Sequence, residues 1–324
     1  MKQPTIKDVA KRSGVGVGTV SRVLNNNPQI SEKTRNKVLA AIKELNYVPN
    51  VIGKKLSQNR SYVIAVVVPV IYHPYFASLI SELELEADKH KYSLLVATSQ
   101  HRIEKEREIL KRIAQNEADG AIFVTHYEHD PKEFENLAIV SIDRHLGDGI
   151  PVVTTNNYEA TKQGIEYLFE HGAKRVAYLG SKPTSESEVS LREQAYLDVM
   201  KERNIEPLVV NEVVDHGEEK EVIGKLLSNY PNFDSVFVSN CTLAHILLKE
   251  LKAKKIKIPE DVQVLSYDGE FDNNGYLSVT TLQQPLNLMA KKCVELLIKL
   301  INNEKEVDKL SVFDCQFVEG KTTL

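Results

Sequence analysis

From Tyr62 onward the chain repeats one pattern, a short run of Val, Ile, Leu and Ala followed by a longer stretch with apolar residues at helical spacing. The runs are YVIAVVVP, YSLLVATS, GAIFVTH and AIVSID, then RVAYLG, SVFVSN and VQVLSYDG. Helical segments around 76–90, 104–116, 157–171, 189–203, 243–253 and 286–302 separate many of them. A strand that is apolar on both sides has no wet face. Alternating with helices, such strands imply parallel sheets covered on both faces. Two sheets of this kind account for the length of the segment.

The first sixty residues obey a different rule. In TIKDVAKRS, Ile6, Val9 and Ala10 recur at the spacing of an amphipathic helix, with Thr5 and Asp8 as an N-cap pair. The next stretch, SGVGVGTVSRVLN, carries Gly14, Gly16 and Gly18 ahead of a second helix whose apolar face is Val20, Val23 and Leu24. A phosphate-cradling loop would have to follow a strand, and none precedes it. The G-x-G-x-x-G spacing and the Walker lysine are also absent. The order is helix, short turn, helix. A third helix follows, capped by Ser31, with Val38, Ala41, Ile42 and Leu45 inward.

Charge separates the same two regions. Residues 1–60 hold twelve Lys and Arg against three acids, a net of +9, while the remainder carries −13. A basic helical head on an acidic body is the electrostatic footprint of a nucleic-acid binder. With 42% hydrophobic and 27% charged residues the chain has the composition of a soluble globular protein. It shows neither a membrane-length apolar run nor a signal-peptide core. Cys241, Cys293 and Cys315 share no metal-ligand spacing, so no metal or cofactor is expected. Few cysteines suit a reducing compartment, and the expected location is the cytoplasm.

TIKDVAKRSGVGVGTVSRVLN and SEKTRNKVLAAIKELNYVPN strongly resemble the headpiece of the lac repressor/galactose repressor family of bacterial transcriptional regulators. The match is dense over residues 4–57, and the rest of the chain follows the family's layout. The run SYDG followed by LQQPLNLMA looks most like the sucrose and ribose repressors of that family. The resemblance implies an all-α helix-turn-helix headpiece at 1–48, a hinge at 49–60 and an α/β bilobed core at 61–324. Like periplasmic sugar-binding proteins, the core would have two Rossmann-like parallel-sheet lobes. The N-lobe is expected at about 61–160 and 288–318, and the C-lobe at about 161–287 and 319–324. Crossings between them are expected near 158–162, 284–290 and 318–321.

A recognition helix needs short side chains at its start, hydroxyls and amides for phosphates, and an arginine for a guanine. Val17 is the candidate for a thymine methyl, Thr19 and Ser21 for phosphates, and Arg22 for the guanine, with a surface salt bridge as its alternative. Asn25 and Arg35 are candidate backbone contacts, and Thr5 and Ser31 complete the set as caps. Gly18 stands where the family often places a base-reading side chain, which implies looser selection at that base. In the hinge, Asn50 would cap a short helix, and the resemblance gives Leu56 the part of a wedge in the minor groove. Gly53, in place of the family's usual alanine, implies a hinge helix that forms less readily without DNA.

In open α/β sheets a ligand lies beyond the carboxyl ends of the strands. The residues at those ends here are His73-Pro74-Tyr75-Phe76, His126, Asp143-Arg144, Ser181, Asn240 and Ser266-Tyr267-Asp268. Such groups suit a polyhydroxylated ligand. The resemblance assigns Tyr75, Phe76, Asp143, Arg192, Asn240 and Asp268 to an effector site, with His73 and Gln284 beside them. The bland readings are core aromatics for Tyr75 and Phe76, a structural pair for Asp143 and Arg144, and helix caps for Asn240 and Asp268. Cys241 and Gly269 replace family acids, which makes the pocket less acidic.

The expected function is a DNA-binding transcriptional regulator, most simply a repressor of a carbohydrate-utilisation operon, controlled by a sugar or sugar phosphate between the lobes. Each helix-turn-helix reads one half of a pseudo-palindromic operator, so a homodimer is expected. The chain ends in CQFVEGKTTL without a terminal heptad helix, which favours a dimer over a tetramer. A sugar-binding receptor, or a regulator using a purine or phosphoprotein corepressor, is the alternative. No nucleophile elbow or metal constellation points to an enzyme.

Overall fold

Three helices build the first unit: α1 (Ile6–Ser13), α2 (Val17–Leu24) and α3 (Glu32–Glu44). The Asp8 carboxylate closes the start of α1 by accepting from the Thr5 amide at 2.8 Å and the Thr5 hydroxyl at 2.7 Å. Gly14 ends the helix in the left-handed region at φ 68°, where a side chain would be strained, and so sets the sharp turn into α2. Val9, Val20, Val23, Val38 and Ala41 make the small core, joined by Tyr47. This unit comprises Met1–Arg60 and the second Ser61–Leu324. The computed structural model describes residues 4–47, 60–214, 217–269, 278–304 and 306–324.

The second unit holds two six-stranded sheets. The N-lobe sheet contains β1 (Val63–Val68), β2 (Ser93–Thr98), β3 (Gly120–Phe123), β4 (Ile139–Ile142) and β5 (Val152–Thr155). Their helices are α4 (Pro74–Lys89) and α5 (Ile103–Ala114). The C-lobe continues with α6 (Asn157–Glu170), β6 (Val176–Ser181), α7 (Ser190–Glu202), β7 (Leu208–Glu212) and α8 (Glu219–Asn229). Then come β8 (Ser235–Val238), α9 (Cys241–Ala253), β9 (Gln263–Asp268) and β10 (Thr280–Gln283). The chain returns to the N-lobe for α10 (Leu286–Ile301) and β11 (Leu310–Phe313), and closes in the C-lobe with β12 (Gln316–Val318).

The strand orders are β11-β5-β4-β3-β1-β2 and β12-β10-β9-β8-β6-β7, so one topology is used twice. All pairs are parallel except β10 with β12. Both faces of each sheet are covered, as the sequence runs imply. In the N-lobe, α4 and α10 bury one face around Leu79, Met289 and Val294, and α5 buries the other around Ile109 and Phe123. In the C-lobe, α8 and α9 cover one face, and α6 and α7 the other.

The chain crosses between the lobes at 156, 284–285 and 314–315. The second crossing falls within the expected 284–290, and the first and third come earlier than expected. Asn157 already opens a C-lobe helix, Leu286 already packs in the N-lobe core, and residues 316–318 pair with β10 instead of ending the N-lobe. The third crossing therefore precedes the expected 318–321. Asn156 ties two crossings together: its Nδ2 donates to Asp314 at 2.9 Å and its Oδ1 accepts from the Cys315 amide at 2.9 Å.

Candidate functional sites

A cavity of about 480 Å³ opens between the lobes, at the carboxyl ends of the strands. His73, Tyr75, Phe76, Asp143, Arg192, Asn240, Asp268 and Gln284 all line it. The two acids hold matching places, Asp143 just after β4 and Asp268 at the end of β9. Both have left-handed backbone, at φ 62° and 86°. Positive φ in a residue other than glycine is strained and concentrates at sites of function.

A chain of polar contacts joins the lobes beneath the cavity. The Thr154 hydroxyl donates to Asp143 at 2.6 Å and accepts from Asn157 Nδ2 at 3.0 Å. Asn157 Oδ1 accepts from Arg192 Nε at 2.6 Å, and Arg192 Nη1 donates to the Ser239 carbonyl at 2.6 Å. Arg192 stands 3.6 Å from Asp268 and lies over the Tyr267 ring at 3.5 Å. Gln284 Nε2 donates to Asp268 at 2.8 Å, while its buried Oε1 has no hydrogen-bond partner among the described residues. Burial pulls the Arg192 pKa down, but the neighbouring Tyr267, Asp268 and Asp143 outweigh it and hold the guanidinium charged. Burial raises the Asp143 pKa against the field of Arg192.

The bland alternatives divide. Tyr75 and Phe76 belong to the N-lobe core and also face the cavity. Asn240 caps α9 by accepting from the Leu243 amide at 2.9 Å. Asp143 and Arg144 do not pair; Arg144 donates instead to the Thr125 carbonyl at 3.0 Å and to the Ser187 hydroxyl. His73 Nδ1 accepts from the Tyr75 amide at 3.2 Å, capping α4, and its Nε2 meets the Thr242 hydroxyl across the cleft at 2.6 Å. A second seam runs from 143–145 to 186–188. There His145 N donates to Glu186 O at 3.2 Å and Glu188 N to Asp143 O at 3.0 Å. Sequence reasoning gave no site role to Thr154, Asn157 or Thr242. Their importance comes from partners 3 to 169 positions away in the chain.

In the first unit, α2 turns Val20 and Val23 inward and leaves Val17, Gly18 and Arg22 exposed, with Thr19 and Ser21 half-buried. Arg22 makes no ion pair among the described residues. A Cβ on Gly18 would enter open space. Asn25 closes α2. Arg35 bonds the turn after it, reaching the Asn27 carbonyl at 2.9 Å. Ser31 caps α3 through the Thr34 amide at 3.4 Å. Asn50 and Leu56 lie outside the described residues.

A family model described as bacterial regulatory proteins, lacI family, matches residues 5–50, and a periplasmic binding protein-like domain matches 165–323. The ribose operon repressor of Halalkalibacterium halodurans is 33% identical over 93% of this chain and 91% of its own length. The chain belongs to the lacI family.

The sucrose operon repressor of Streptococcus mutans is also 33% identical, over 92% of this chain and 93% of its own length. A crystal structure of the lac repressor dimer bound to operator and an anti-inducer shares the fold, with a TM-score of 0.85 at 24% identity over the whole of both chains. As a lacI-family member the protein is a DNA-binding transcription regulator, and the family is regulatory, not enzymatic. No helix among the described residues is long and apolar enough to cross a membrane.

Proposed function

We propose that the protein is a cytoplasmic homodimeric repressor of a carbohydrate-utilisation operon, and that a sugar or sugar phosphate in the cleft sets its grip on a pseudo-palindromic operator. The cross-lobe network of Asp143, Asn157, Arg192, Asp268 and Gln284 in a cavity of about 480 Å³ carries this reading. Carboxylates, amides and a guanidinium grip hydroxyls in pairs, and Tyr75 and Phe76 offer the apolar faces that cover the C–H side of a sugar ring. The relatives named as ribose and sucrose operon repressors support it.

On DNA, α2 is the recognition helix. Val17 meets a thymine methyl, Thr19 and Ser21 hold phosphates, and Arg22 reads a guanine, with Asn25, Arg35 and the capped ends at Thr5 and Ser31 on the backbone. Leu56, outside the described residues, takes the part of the apolar wedge in the minor groove, with Asn50 beside the backbone. Two half-sites require two headpieces, hence the dimer. A ligand shifts DNA binding only by its differential affinity for the two states of the lobes.

Two measurements test this. A binding-site selection from random duplexes should return a two-fold symmetric sequence, with sharp preference at the base Arg22 faces and little at the base facing Gly18. Arg22→Ala should then lose about 1–3 kcal/mol of discrimination at one symmetric position. In thermal unfolding against sugars and sugar phosphates, a bound ligand at about 100 times its Kd adds roughly 2.7 kcal/mol to core stability. The same ligand should change operator affinity. A ligand that stabilises the core and leaves DNA binding untouched would sink the switch.

A further inference from the structure

The two arginines of the cleft are both buried, and they are not in the same state. Arg192 has a carboxylate, Asp268, at 3.6 Å. Arg144, 6% exposed, makes no ion pair among the described residues. Its hydrogen bonds go to neutral acceptors: the Thr125 carbonyl at 3.0 Å, the Ser187 hydroxyl, and His126 Nδ1 at 3.4 Å. Asp143, its neighbour in sequence, turns its carboxylate to Thr154 instead. A buried charge with only neutral partners is costly, and proteins ordinarily pair it.

The field of Asp143 acts on Arg144 without a hydrogen bond, but burial outweighs it and the guanidinium pKa is lowered. His126 accepts from Arg144 at Nδ1, so in its neutral form it carries its proton on Nε2 and is a donor there. Burial, then the fields of Arg144, His101 and His73, depress its pKa to about 3. His101 stacks on it with ring centroids 6.3 Å apart. Lys182, just beyond the end of β6, lines the same cavity with no carboxylate on its ammonium among the described residues. Glu219, the remaining acid of the lining, has its Oε2 occupied by the Gly217 amide at 2.9 Å. The lining therefore offers a set of donors and cations in Arg144, His126 and Lys182 beside the hydroxyl-binding groups Asp143, Asp268, Gln284 and Arg192.

Resting on the sugar-effector reading above, we infer that the occupant is a sugar phosphate, its hydroxyls on Asp143, Asp268 and Gln284 and its phosphate ester held by Arg144, His126 and Lys182. A phosphate offers three oxygens to a guanidinium fork, an imidazole N–H and an ammonium, and a neutral sugar leaves the Arg144 charge with the field of Asp143 alone, which burial outweighs.

The test is isothermal titration calorimetry of the full-length protein with ribose, ribose 5-phosphate, fructose, fructose 6-phosphate and inorganic phosphate. In at least one pair the phosphate ester should bind about tenfold or more tightly than its parent sugar. Added salt should weaken the ester and spare the parent. Lys182→Met, at the rim, should bring the ratio of the two affinities toward one, and His101→Gln should lower it less. Competition by inorganic phosphate against the ester also supports the assignment. A parent sugar that binds as tightly as its ester, or a ratio untouched by Lys182→Met, overturns the phosphate site and leaves the sugar cleft standing. Binding of none of the five overturns both.

Discussion

The two lobes use one strand order, and each turns an acid into the cleft from a strained position at a matching strand end. The surroundings of those acids differ. In the C-lobe, Asp268 is wired to Gln284 and Arg192, and Arg192 in turn to Asn157 and the Ser239 carbonyl. In the N-lobe, Asp143 takes one hydroxyl, from Thr154, and the adjacent Arg144 goes elsewhere. Asp268 is paired with Arg192, whereas Arg144 is left with neutral hydrogen-bond partners. Matching folds thus do different work, and the division lies in second-layer polar residues, not in topology.

Five substitutions break or sharpen this contrast. The largest effect belongs to Arg192→Ala. It strips partners from Asn157 and Ser239 and leaves Asp268 buried without its cation, at a cost of about 3–5 kcal/mol in denaturant unfolding. Asp268→Asn and Asp143→Asn then compare the acids directly. The first should lose about 1.5–3 kcal/mol, the range for hydrogen bonds to charged groups. The second should stay within about 1 kcal/mol, because burial already raises the Asp143 pKa and its charge is a burden at neutral pH. Equal losses would erase the asymmetry.

Smaller still is Thr242→Val, which removes the contact to His73 across the cleft. It should cost about 0.5–1.5 kcal/mol and speed amide exchange at the start of α9. The smallest effect is a pH slope confined to the N-lobe. Buried His129 sits between Glu106 at 2.7 Å and Glu133 at 2.9 Å. Burial lowers its pKa, but the two carboxylates outweigh it, and the net shift is upward. A raised pKa adds stability that is complete below the unfolded value near 6.5 and is lost as pH climbs through the folded one. His129→Gln should flatten the stability profile across that upper window, and an unchanged slope would remove the histidine from the account.

How much of this the sequence revealed depended on the physics of each part. Helices and strands with strong apolar periodicity, such as VIAVVV and the recognition helix, were legible because burial dictates their pattern. Strands β5 and β11 were not, since VVTT gives half its positions to threonine and LSVF is a partly exposed edge strand. Helix α8 opens with EKEV, and its charges hide the face formed by Val222, Ile223 and Leu226. The cleft acids were legible as strand ends. The partners that orient them were not, because Thr154 and Asn157 act through neighbours that only folding supplies. The third crossing was misplaced for a similar reason: LSVF and QFV read alike, and pairing alone assigns them to different sheets.

The crossings at 156, 284–285 and 314–315 also govern how the protein can be rearranged by recombination. The N-lobe is two separate stretches of gene, and its last strand and one of its two longest helices arrive only after the whole body of the C-lobe. A chimera that traded residues 61–155 alone would dock foreign strands against native α10 and β11. The DNA-reading head is one uninterrupted segment and can be exchanged at a single junction. A new head is one recombination event away, whereas a new C-lobe needs three matched breakpoints, so the cleft is more readily altered through point changes in its wall.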